Sequence, residues 1–303
     1  MAGTINTSSI AKALWPGVKN WYGMEYSKHP LECDSLFDTE MSEKKYEEDV
    51  QVVGFGLAPV KTEAGGVAYD TMQQGYISRY VNIAYAMGFI VTHEEIEDNL
   101  YKKLAKQRSE ALAFSMNQTK EFGGANVYNN AFTGGPVGGD GVSLLNSAHP
   151  IYGGTLSNIL GTPAELSEAA LETFAIQIGQ LTDDRGLKIN VRPEKLHIPV
   201  NLEFDAHRIL HSVLQNDSAN NAVNAIRALG LFPGGAIVNH YFTAPHTYFI
   251  GTDIKNGLKH MVREKIDFSD DNDFETMNLK YKAYERYSFG WTDFRDLFGT
   301  NPT

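Results

Sequence analysis

The chain has 303 residues, 42% hydrophobic and 21% charged, which is enough for a full core or for two or three compact lobes. Its formal charge of -11, with no run of Lys or Arg, excludes a protein that grips nucleic acid through its phosphates. A single cysteine, Cys33, excludes an internal disulfide framework and fits a reducing cytosol.

Met1 to Ile10 shows no charged stretch leading into an apolar one, so no signal peptide is expected. Residues 1–45 read as an arm rather than a domain. Trp15 and Trp21 are anchors without sustained periodicity, so the arm is expected to order only on a partner surface. Residues 46–91 read as a long hairpin: one strand ends at Pro59, a tip runs from Val60 to Gln74, and a second strand spans Tyr76–Val91. Its Val81–Val91 stretch is too short to span a bilayer. The tip is far longer than ordinary hairpin loops, which marks it as a protruding arm.

Thr92 and Glu95 form a capping box, and Ile96, Leu100, Leu104, Ala111, Ser115 and Phe122 then share one stripe. This predicts a helix of about thirty residues, roughly 45 Å long, ending at Gly123. A glycine-rich loop (134–141) follows. A second helix is predicted from the Thr162–Pro163–Glu165 signal to Gly186, with Leu166, Ala170, Phe174, Ile178 and Leu181 inward. Leu187–Val200 reads as strand, turn and strand, and Asn201 as the cap of a helix through Val213. A short helix follows near Ala222–Leu229, then strands near Ala236–Phe242 and Tyr248–Gly251. The tail returns to long strands: Lys259–Phe268, an acidic turn Ser269–Asp273, and an alternating strand that includes Met277, Leu279, Tyr281 and Ala283.

A search for chemistry finds none. The glycine loop lacks a P-loop and offers only Asp140 to a phosphate. His207 and His211 share a helix face with Glu203, but no His-Glu-x-x-His pattern surrounds them. Cys33 lies between Glu32 and Asp34, which dulls a thiolate. The Asp183–Asp184 and Asp270–Asp271 pairs belong to turns. No catalytic residue, cofactor or metal is expected.

The element order and three stretches carry a resemblance. Gly139-Asp140-Gly141-Val142-Ser143-Leu144-Leu145 ending in Ser147-Ala148-His149-Pro150, the strand Leu187–Pro199, and Phe289-Gly290-Trp291-Thr292-Asp293-Phe294-Arg295 are similar to stretches of tailed-phage major capsid proteins, Mu-like head subunits above all. One departure is Leu145, where an aromatic is common. Another is the lack of a coiled-coil scaffolding segment before the arm, which implies a separate scaffolding protein or a trimmed chain.

The resemblance implies an α+β Hong Kong 97-like capsid fold. Its parts would be an N-terminal arm (1–45), an extended loop hairpin (46–91), a spine helix with a peripheral-domain segment (92–150), a mainly axial domain (151–250), and peripheral strands with the C-terminal segment (251–303). It implies self-assembly into pentamers and hexamers of an icosahedral head that encloses double-stranded DNA without sequence-specific binding. The protein would be made in the host bacterial cytoplasm and end in the virion. Implied partners are the chain itself, a scaffolding protein and a portal, with a decoration protein as a further candidate. Trp15, Trp21, Lys61, Glu63, Asp70 and Arg79 are the candidate intersubunit contacts. Glycines near 134–141 and 251–257 are expected to let lobes tilt. Two alternatives stand beside this: an encapsulin-like nanocompartment shell, disfavoured by Pro16, Gly17 and Gly23 in an arm that would have to be helical, and a metal- or nucleotide-dependent soluble enzyme.

Overall fold

The structure, a computed structural model, describes residues 18–28, 30–97, 101–133, 137–215, 222–273 and 275–302. Where an irregular arm was expected, residues 18–26 form a helix, α1, that continues through Gly23. Val18 and Tyr22, four apart, are buried against the body of the same chain. That packing supplies what a helix this short lacks by itself. The objection to a helical arm based on Gly23 therefore falls, while Pro16 and Gly17 lie outside the described residues.

The larger sheet contains β1 (Asp38–Met41), β4 (Ile83–Val91), β10 (Leu258–Asn272) and β11 (Leu279–Trp291), ordered β1-β10-β11-β4. Strands β10 and β11 pair antiparallel from Leu258↔Trp291 to Asn272↔Leu279, with register shifts between Val262 and Asp267. The turn lies later than the acidic Ser269–Asp273 stretch. Met277 sits in it at φ 56, outside the strand alternation, and the Asp273 N–H donates to the Asn278 carbonyl. Strand β1 pairs parallel to β10.

After the short helix α2 (His93–Glu97), whose start carries the predicted capping box in both directions, comes α3 (Tyr101–Asn129). Its 29 residues rise about 44 Å along the sheet. The helix does not stop at Gly123. Gly124 lets α3 approach the turn at Cys33–Ser35, because a Cβ there would lie 2.8 Å from Cys33 Cβ. The face turned inward also differs from the predicted stripe. Ala105, Leu112, Ala113 and Met116 are buried, whereas Ala111 and Phe122 are exposed. The inward face mixes small residues with Ser109, Lys120 and Glu121, so apolar periodicity alone selects the wrong side. Each of these polar groups has a partner. Ser109 donates to the Val18 carbonyl, Lys120 pairs with Glu285 at 2.7 Å, and Glu121 accepts from the backbone N–H groups of Glu32 and Cys33.

The second lobe is built on the sheet β12-β9-β7-β8: β7 (Pro193–Pro199), β8 (Ala236–Asn239), β9 (Tyr248–Thr252) and β12 (Leu297–Thr300). The chain's last strand thus joins this lobe rather than the long strands. Helices α4 (Glu168–Gly179), α5 (Glu203–His211) and α6 (Ala225–Leu229) complete it. Ser167, not Thr162, caps α4, and the helix ends at Gly179, before Gly186. Its inward residues are the predicted Ala170, Phe174 and Ile178. Leu202, not Asn201, stands at the start of α5.

An apolar cluster joins the lobes through Phe37, Val127, Tyr128, Leu144, Phe249, Leu258, Trp291 and Leu297. Of the glycines expected to act as hinges, Gly138, Gly139, Gly251 and Gly257 are packing points, whereas Gly141 has open space around it. A Cβ on Gly257 would overlap Asp296, and one on Gly139 would lie 2.7 Å from the Ile77 carbonyl oxygen. Gly134 and Gly135 lie outside the described residues.

Candidate assembly surfaces

Strands β2 (Tyr46–Val53) and β3 (Gln73–Val81) form a two-stranded ribbon apart from both larger sheets. The strand predicted as one piece to Val91 breaks at Asn82, which is 5% exposed. The Asn82 amide donates to Ser42 Oγ (2.7 Å) and the Lys44 carbonyl (3.0 Å), and its oxygen accepts from Ser288 Oγ. Polar fixing at this point lets β3 leave the sheet that β4 enters. Beside it Lys259, 4% exposed, pairs with Asp49 at 2.6 Å, and Thr292 Oγ1 also donates to Asp49. Burial raises the Asp49 pKa, but the Lys259 and Thr292 hydrogen bonds outweigh it and leave the carboxyl below its usual range. The ribbon's base is fixed.

Its tip (54–72) has no strand pairing, and its apolar side chains face solvent: Leu57 is 83% exposed, Val60 94% and Tyr69 94%. An apolar surface of this extent, exposed among the described residues, is available to a partner. The candidate contact residues fall in different places. Lys61 and Glu63 are exposed on this tip. Asp70 accepts from the Gly56 N–H and from Arg185 of its own chain. Arg79 pairs with Glu48 and lies 4.5 Å from the Tyr46 ring centroid, across the ribbon. Trp21 packs half-buried on the α1–α3 core, so part of its surface is spent within the subunit. Trp15 lies outside the described residues.

Two surfaces escaped the sequence reading. Strand β4, nine residues without a charge, forms one edge of the larger sheet, with Ile83, Met87 and Ile90 each more than half exposed. Such an edge lacks the lysines, prolines or bulges that usually guard against strand pairing. The second is the outer side of the smaller lobe, where Phe204 and Leu229 are exposed on α5 and α6.

No chemical site among the described residues competes with these surfaces. Among the described residues no group of three or more His, Cys, Asp or Glu side chains is placed to hold a metal ion, and the rings of His207 and His211 lie 4.5 Å apart on an exposed face. Burial, then Glu121 and Asp34, pushes the Cys33 thiol far above its usual range. The described part of the glycine loop, 137–141, packs into the crossover after α3. Gly141 turns at φ +80, and Asp140 Oδ2 meets the buried His149 ring at Nδ1, 2.6 Å away. Among the described residues no helix is long and apolar enough to cross a membrane.

A ribbon with an exposed apolar tip, a long helix backed by long strands, and a second lobe make up an α+β fold of the Hong Kong 97 type. Known structures agree on the fold. The chain is similar to a virus-like particle protein from Pyrococcus furiosus at 13% identity and TM-score 0.51, covering 93% of this chain and 97% of that one. It is similar to a chain of Mycobacterium phage Adephagia at 13% identity and TM-score 0.53, covering 91% of each. It is also similar to a procapsid chain of bacteriophage JBD30 at 11% identity and TM-score 0.51, covering 98% of this chain and 77% of that one. No curated protein sequence matches. A family model described as phage capsid protein matches residues 76–298, and the chain belongs to that family. It is a structural capsid shell protein, not an enzyme.

Proposed function

We propose that this chain is the major head subunit of a tailed phage, similar to Mu-like head subunits, and that its copies form the pentamers and hexamers of an icosahedral shell around double-stranded DNA. The observation that carries this reading is the fixed ribbon with the solvent-exposed apolar tip. A neighbour that covers Leu57, Val60 and Tyr69 removes them from water, and each subunit offers the same tip to the next copy. Repeated around a ring, such a heterologous contact closes on itself.

In this reading the lobe on β7–β9 is axial, the sheet with β10 and β11 is peripheral, and the extended loop is the ribbon of residues 46–81 rather than 46–91, because β4 joins the peripheral sheet. Trp15, Trp21, Lys61 and Glu63 serve the intersubunit contacts. The charge of -11 keeps the inner wall from holding packaged DNA. A scaffolding protein and a portal are partners during assembly in the host bacterial cytoplasm, and a decoration protein is a third candidate.

The test is imaging of particles purified from cells expressing the chain with its scaffolding protein. Closed shells with five- and six-fold capsomers are expected, and free subunits should not retard DNA at moderate salt. A stable small oligomer under all conditions, or tight DNA retardation by the free chain, contradicts the proposal. Shells that hold a protein cargo and no genome in the native host point instead to a nanocompartment, a reading that helix α1 keeps open.

A further inference from the structure

The ribbon tip is held to its own second lobe by one small set of polar contacts. Arg185 reaches across to it: Nη1 donates to Asp70 Oδ2 at 2.6 Å and Nη2 to the Thr71 carbonyl at 2.7 Å. Asp70 also accepts from the Gly56 and Thr71 N–H groups, so a single carboxylate gathers both sides of the tip at the point where Arg185 grips it. The turn that presents Arg185 is rigid. Asp183 Oδ1 accepts from the Arg185 and Leu187 N–H groups, and Gly186 takes the left-handed conformation at φ +82. Asp184 anchors the turn through the buried Arg295 and accepts from the Gln51 amide of the ribbon.

These contacts are polar and partly exposed, with Asp70 at 45% and Arg185 at 19% side-chain exposure. Pairs of that kind form and break readily. The tip's apolar side chains meanwhile remain uncovered by the chain. The tip is thus held by its weak contacts, while its strong ones are left open.

We propose that the 183–186 turn is a parking site: Arg185 holds the hairpin tip on its own chain, and the tip leaves it when it moves onto a neighbouring copy. This rests on the shell-building reading above. The contact restrains free subunits from joining prematurely, because a tip committed to its own lobe presents its apolar side chains in one fixed direction.

The test uses the full chain. Hydrogen exchange on free subunits reads the strap directly. Arg185→Ala is expected to speed exchange of the Gly56 and Thr71 amides several-fold, and unchanged rates overturn the proposal. A double variant, Thr71→Cys with Arg185→Cys, is then followed by light scattering with and without a short bismaleimide, from which buried Cys33 is shielded. Without the bridge, the lag before particles appear is expected to shorten several-fold. With it, assembly is expected to slow about tenfold or more. A bridged chain that assembles at the wild-type rate shows that the tip never has to leave, and overturns the proposal. Failure of the wild-type chain to form particles contradicts the shell-building reading itself, and the exchange measurement still decides whether the strap exists.

Discussion

His149 is fully buried, with its ring stacked on Phe294 at 3.8 Å, Nδ1 2.6 Å from Asp140 and Nε2 3.2 Å from the Asn158 side-chain oxygen. This knot joins the crossover after α3 to the strand pair β5 (His149–Ile151) and β6 (Gly154–Leu156), and to the 3-10 turn Phe294–Asp296. It gives physical content to the Asp140-Gly141…His149-Pro150 stretch that first pointed to capsid proteins. Asp140→Ala leaves a buried imidazole nitrogen without its partner, and a loss of about 1–3 kcal/mol is expected. Denaturant midpoints measure it; an unchanged midpoint contradicts the role.

Asp296 sits where the two lobes meet, beside Asp38, Glu194 and Asp293. Burial raises its pKa to about 7, the Leu258 N–H opposes that rise, and the neighbouring carboxylates reinforce it. The folded chain therefore holds this proton more tightly than the unfolded chain. The stability it contributes is full below about pH 4 and is lost as pH rises through about 7. Asp296→Asn keeps an acceptor for Leu258 and removes the charge. Its stabilising effect is expected to be larger at pH 8 than at pH 5, by roughly 2–3 kcal/mol. An effect larger at pH 5 reverses the assignment.

At the scale of elements, α3 shows what sequence patterns carry and what they miss. The Thr92–Glu95 box was legible because capping is local chemistry, and Glu95 gains a further bidentate pair with Arg108. The helix's end and its buried face were not legible. Gly123 and Gly124 look like terminators until Phe289, Cys33 and Phe37 are seen against them. Phe122 looks like core until Lys120 and Glu121 are seen inside with partners 165 and 89 residues away, Glu285 and Glu32 respectively. Gly124→Ala should stabilise an isolated helix by about 0.5–1 kcal/mol. In this protein it is expected to lower the melting temperature, because the new methyl group meets Cys33 Cβ and overpacking costs about 1–3 kcal/mol. A raised melting temperature contradicts the close approach of α3 to the 33–35 turn. The long strands were likewise legible by alternation, but their turn was displaced, because the acidic residues through Asn272 stay paired with β11.

Across the whole molecule, the order of arm, ribbon, long helix, mixed lobe and long strands was readable, and that order led to the fold. The surfaces were read less completely. The ribbon tip stood out by its length, but β4 was hidden because an uncharged nine-residue strand looks the same in a core as at an edge. The pairing of Asp70 with Arg185 joins positions 115 residues apart and has no local signature. In the proposed assembly the exposed tip builds the shell rather than the subunit. The most direct measurement replaces residues 55–70 with a short Gly-Ser linker and compares particle formation by negative-stain imaging, with folding followed by circular dichroism and melting. A folded subunit that retains the melting transition of both lobes but forms no closed shells is expected. Closed shells of wild-type size from the shortened chain would contradict it.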